Sequence, residues 1–81
     1  NVMETNKTIL QMKYGRIVKA FAKEAGISLD EALDKFYNSN TFILMDEGIA
    51  DMQTMSDICL TDELLIEYGY KKQPGTEKTV A

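Results

Sequence analysis

The sequence predicts an all-α fold, a compact bundle of three or four helices, and three observations point to it. Large apolar residues recur at spacings of three and four over the first third of the chain. Polar helix-start signals follow at Ser28 and Ser56. Glycines at 26, 48 and 69 stand where those periodic stretches end.

Helix 1 is expected from Asn6 to Ala25. Leu10, Tyr14, Ile17, Val18, Phe21 and Ala25 fall on one helical face, Asn6 is the expected N-cap, and Gly26 suits the left-handed residue that closes a helix. Ser28 then opens helix 2, with Glu31 three residues on to complete a capping box. This helix should run from about Leu29 to Asn38 with an apolar stripe of Leu29, Ala32, Leu33, Phe36 and Tyr37. The run Asn38-Ser39-Asn40-Thr41 ends it, because short polar side chains compete for backbone hydrogen bonds. Thr41 is the expected cap of a short third helix, Phe42 to Glu47, stopped by Gly48. Residues 49–55 fit neither period well and read as irregular. Ser56 and Asp57 open the last helix, which should reach Tyr68 and end at Gly69.

With helices 2 and 4 packed on the apolar side of helix 1, the expected core is Leu10, Tyr14, Ile17, Val18, Phe21, Leu29, Leu33, Phe36, Leu44, Leu60 and Leu64. One helical domain over residues 1–70 and a polar C-terminal tail over 71–81 complete the expected organisation. At 81 residues, 44% hydrophobic and 27% charged, the composition is that of a small globular domain. A chain this short hides only part of its apolar surface, so association with a partner or with itself, as in a homo-oligomer, would help to stabilise it.

Nine basic and thirteen acidic residues leave a net charge of −4, which repels nucleic acid and anionic membranes as a whole. The longest apolar run, residues 42–45, is far short of the roughly 20 residues that cross a bilayer. The amino terminus shows no signal-peptide pattern. The single cysteine, Cys59, has no second cysteine or histidine to pair with, and in Ile58-Cys59-Leu60 it reads as a small buried hydrophobe. A reducing, cytoplasmic setting is the expectation.

The stretch from Ala22 to Ala32 has the form of a helix-turn-helix corner, with Ala22, Gly26, Ile27 and Ala32 at the packing positions. Its charge is wrong for DNA. Asp30, Glu31 and Asp34 would face a groove lined by phosphates, where specific readers use Arg, Lys, Asn or Gln. Lys35 also stands where an apolar residue would be expected. A tight, well-capped helix pair accounts for the shape.

The basic side chains lie elsewhere, with Arg16, Lys19 and Lys23 in a narrow arc on the polar side of helix 1 and Lys13 at its margin. A solvated face explains this arc, and so does a patch for an acidic partner. Residues 41–70 hold seven acids and no Lys or Arg, an asymmetry that could be matched within the fold, across a dimer or by another protein. Met45, Met52 and Met55 beside Phe42, Ile43 and Leu44 are either core filler or an adaptable binding patch.

Catalysis is not expected. Asp46-Glu47 and Asp62-Glu63 are adjacent on helices and so point about 100° apart, and without histidine the triads built on it are excluded. The scattered glycines form no phosphate loop, and Asp46 to Asp51 lacks the alternating ligands of a calcium site. No cofactor, metal or small-molecule substrate is expected.

The run from Ile9 to Met45 nevertheless carries two motifs, Ser28-Leu29-Asp30-Glu31-Ala32 and Phe36-Tyr37-Asn38-Ser39-Asn40-Thr41. On these the chain resembles a family of small bacterial helical domains of unknown function, loosely over residues 9–68 and more closely over 17–45. The resemblance implies a bacterial, intracellular, compact helical protein and brings no catalytic residues with it. The expected function is a noncatalytic protein-protein interaction or adaptor module, capable of self-association, with Arg16, Lys19, Lys23, Met45, Met52 and Met55 as candidate partner-binding residues. The alternative is a DNA-associated regulator in which a dimer pools the basic stripes of helix 1.

Overall fold

The structure, a computed structural model, describes residues 2–72, with side chains described for 9–48 and 52–72. Its order is α1 (Val2–Ala25), α2 (Leu29–Tyr37), α3 (Asn40–Asp46), a 3-10 helix (Ile49–Thr54) and α4 (Asp57–Glu67). The fold is an all-α bundle in which α1 packs against both α2 and α4. The expected tail lies, from residue 73 on, outside the described residues.

Helix α1 starts earlier than the cap grammar predicts. Asn6 lies inside it, because nothing between Val2 and Asn6 is a proline or glycine that would stop the helix from extending upstream. It ends as expected at Gly26, whose φ of +72° lets its N–H and that of Ile27 both reach the carbonyl of Ala22, at 3.0 and 3.1 Å. Ser28 caps α2, its Oγ accepting from the Glu31 N–H at 3.1 Å. Only half of the capping box forms, since the Glu31 carboxylate lies 4.0 Å from Lys35 Nζ one turn on.

The cap of α3 is Ser39, two residues before the expected Thr41. Ser39 is fully buried, accepts from the Phe42 N–H at 3.0 Å and donates to the Phe36 carbonyl at 2.6 Å, so one hydroxyl ends α2 and starts α3. Thr41 lies one step inside. There the Glu67 carboxylate, at the far end of α4, accepts from the Asn40 N–H (2.7 Å), the Thr41 N–H (3.1 Å) and the Thr41 hydroxyl (2.8 Å). An anion at the first turn of a helix satisfies orphan amides and meets the positive end of its dipole. Residues 49–54, expected to be irregular, form the 3-10 helix, and Gln53 Nε2 donates back to the Met45 carbonyl at 2.6 Å. Ser56 caps α4, and the Tyr70 N–H returns to the Leu65 carbonyl at 2.8 Å to close it.

The core consists of Tyr14, Ile17, Val18, Phe21, Ala22, Ala32, Phe36, Met45, Leu60, Leu64 and Leu65, with Leu10 half-buried against it. Aromatic edges tie the α1, α2 and α3 contributions together: Phe36 lies 5.4 Å from Tyr14 and 5.2 Å from Phe42, ring centre to ring centre. Three expected core residues are displaced. Leu44 is half-buried while its neighbour Met45 is fully buried, because α3 turns its Thr41 and Met45 row inward. Leu29 and Leu33 are 50% and 39% exposed. Helix α2 presents Ala32 and Phe36 to the core, and the small Ala32 brings it close to α1, so the adjoining row of leucines is left at the edge of the contact.

Candidate functional site

Two of the residues displaced from the core, Leu29 and Leu33, line the candidate site. Along a helix, positions four apart form rows, and each row lies beside the next in sequence. In α1 the core row is Tyr14, Val18 and Ala22, and the row beside it is Gly15, Lys19 and Lys23. In α2 the row outside the core is Leu29, Leu33 and Tyr37, and beyond it lie Asp30 and Asp34. Helix α2 runs back along α1, since it starts beyond Gly26 and its C-terminal Phe36 meets Tyr14.

Between the two helices opens a shallow, largely apolar groove of about 160 Å³, lined by Gly15, Val18, Lys19, Leu29 and Leu33. Gly15 lines its α1 side. A Cβ added there would meet nothing within 4 Å, so the absent side chain leaves open space instead of admitting a neighbour. Lys19, exposed overall, lines the same side. Tyr37, 50% exposed, continues the leucine row, and Met12, 62% exposed, lies one turn before Gly15 on α1. The groove is flanked by opposite charges. Lys19 and Lys23 stand on the α1 side, exposed and in no ion pair among the described residues, and exposed Asp30 and Asp34 stand on the α2 side.

The basic stripe expected on α1 is divided. Arg16 turns away from the groove toward α4, where its guanidinium hydrogen-bonds the Asp57 carboxylate and Lys13 Nζ lies 3.2 Å from the same group. The Arg16 hydrogen bond, reinforced by Lys13, holds Asp57 below the usual carboxylate range, against the opposing effect of partial burial. Only Lys19 and Lys23 of the three remain as unpaired surface charge.

The methionines also part company with the expected binding patch. Met45 is fully buried, and Met52 and Met55 are half-buried against the core, so this trio fills an awkward junction among α3, the 3-10 helix and α4. Cys59, expected to be buried, is exposed, because α4 faces the core with Leu60, Thr61, Leu64 and Leu65 and position 59 falls on the opposite side.

Little else offers chemistry. Among the described residues no group of three His, Cys, Asp or Glu side chains comes together as a metal site, and every buried side-chain polar atom has a hydrogen-bond partner. The Tyr14 hydroxyl is pushed up to about 12 by burial first and then by the nearby Asp46 carboxylate, 3.5 Å away, so it remains a neutral donor at ordinary pH. No described helix is long and apolar enough to cross a membrane. At the helix-turn-helix-like corner, Asp30, Glu31 and Asp34 are all exposed.

The leucine row was missed as a site although the sequence carried a signal for it. Five of the nine residues of α2 are apolar, a stripe too wide for one short helix to bury between its neighbours. Comparison of the chain with protein-family models, with curated proteins and with solved structures gives no match.

Proposed function

We propose that this chain is a noncatalytic protein-interaction module that presents the α1–α2 groove to a polypeptide partner. The observation that carries this reading is the contiguous exposed row of Leu29, Leu33 and Tyr37 beside the open space at Gly15. Apolar residues grouped on one face, rimmed by charge, favour association where singly scattered ones do not. The groove is also the wrong size for a small molecule, being well below the roughly 300 to 1,000 Å³ of ligand pockets. A side chain or two from another protein would fill it.

The DNA-associated alternative has less support. Its basic stripe loses Arg16 to Asp57, and the corner helix that would enter the groove of the duplex exposes three carboxylates.

The reading is tested by placing a photo-crosslinking amino acid at Leu33 or, as a control, at Glu63 on the exposed side of α4, in the intact chain within cells. Discrete protein adducts at position 33 and none at 63 are expected. Adducts at neither position, or equally at both, would overturn it.

A further inference from the structure

The rims of the groove point to one occupant. We propose that a second copy of this chain docks on it, with a two-fold axis running along the groove. This rests on the groove being a protein-docking face and adds what the partner is.

The argument is one of symmetry and charge. A basic row, Lys19 and Lys23, borders one side of the apolar strip, and an acidic row, Asp30 and Asp34, borders the other. When two identical patches meet about an axis parallel to the strip, the left rim of one lies over the right rim of the other. Each basic row then faces an acidic row, twice over, as an isologous contact requires. An axis across the strip would set like charges together and is disfavoured for that reason.

The heights along the helices agree with this arrangement. Helices α1 and α2 are antiparallel neighbours, so Lys23 and Asp30 lie toward the Gly26 end, while Lys19 and Asp34 lie further down. Lys23 therefore comes opposite Asp30 of the second copy, and Lys19 opposite its Asp34. In the same pose Tyr37, which the contact of Phe36 with Tyr14 places level with Gly15, comes opposite Gly15 of the second copy, where no Cβ stands. Lys13 and Arg16 take no part, since Asp57 already holds them. The groove is thus self-complementary in charge, and a foreign partner would have to reproduce this same alternation.

The test uses charge reversal and sedimentation of the full chain at low ionic strength. One variant carries Lys19→Glu and Lys23→Glu, making both rims acidic. The other carries Asp30→Lys and Asp34→Lys, making both basic. The unaltered chain should be dimeric at high concentration, and each variant alone should dissociate at least roughly tenfold more readily, the effect of about 1.4 kcal/mol. Mixed in equal amounts, the two variants should recover a 1:1 dimer, because every acidic rim then finds a basic one. Circular dichroism of each variant confirms that it is folded. A monomeric unaltered chain, or a dimer that neither variant weakens, overturns the proposal. A monomer that still gives adducts with other proteins at position 33 in cells overturns the second copy alone and leaves the interaction module standing. A monomer that gives no such adducts overturns both.

Discussion

Gly15 lies in the interior of the longest helix, where glycine is about 0.8 to 1 kcal/mol less favourable than alanine because of the backbone freedom it loses on folding. In many helices such a glycine is required by close packing. Here a methyl group would project into the groove and touch nothing within 4 Å, so Gly15→Ala should incur no steric penalty and gain no packing. The whole propensity difference should therefore appear as stability, about 1 kcal/mol. For a domain of this size that corresponds to a rise in Tm of about 4 to 8 °C. The assay is thermal unfolding followed by circular dichroism at a protein concentration low enough for Tm to be independent of concentration, which separates folding from association. The same methyl intrudes on the groove, so dimer formation measured by sedimentation should weaken while the monomer gains stability. A lower Tm at low concentration would refute the reasoning, because it would mean that something in the folded monomer already occupies the space over Gly15.

Glu67→Ala should destabilise the fold by about 2 kcal/mol, as three hydrogen bonds to the start of α3 are lost and the buried Thr41 hydroxyl loses its acceptor; urea unfolding measures this. Phe36→Ala should cost about 3 to 5 kcal/mol. For a domain whose total is on the order of 4 to 12 kcal/mol, that is enough to leave much of the chain unfolded on mild warming, whereas Leu33→Ala at the half-exposed edge should cost about 1 kcal/mol or less. Asp57 supplies a pH dependence of definite sign. Its folded pKa is lowered below 3.8 by Arg16 and Lys13, so its contribution is present above that value and is lost as the pH falls through the lower, folded pKa. Asp57→Asn should thus lose less stability than the unaltered chain between pH 5 and pH 3, and equal losses in urea titrations would show that the ion pair is not maintained in solution.

Local grammar made the helices legible. Serines at 28 and 56 cap the helices that follow them, and Gly26 and Gly69 end the ones before, because these signals depend on a few neighbouring backbone groups. Even so, the carboxylate that takes up the Thr41 amide and hydroxyl, leaving Ser39 as the cap of α3, comes from Glu67 at the far end of α4. The site was less legible for a similar reason. Periodicity identifies the five apolar residues of α2 but not the angle at which the helix turns them, and that angle decides whether Ala32 and Phe36 or Leu29 and Leu33 face inward. Nor does a basic arc on α1 reveal that an aspartate 41 positions away takes Arg16 out of it. The methionines, apolar in either setting, could be assigned only once α3 and α4 were in contact.

Methyl-resolved NMR of the leucines, recorded from micromolar to near-millimolar chain, locates the contact directly. The signals of Leu29 and Leu33 should shift together with concentration while those of the buried Leu60 and Leu64 hold still. Leu29 and Leu33 signals that stay fixed across the whole range, or shifts confined to another face, would contradict the groove as the surface where this chain meets its own copy.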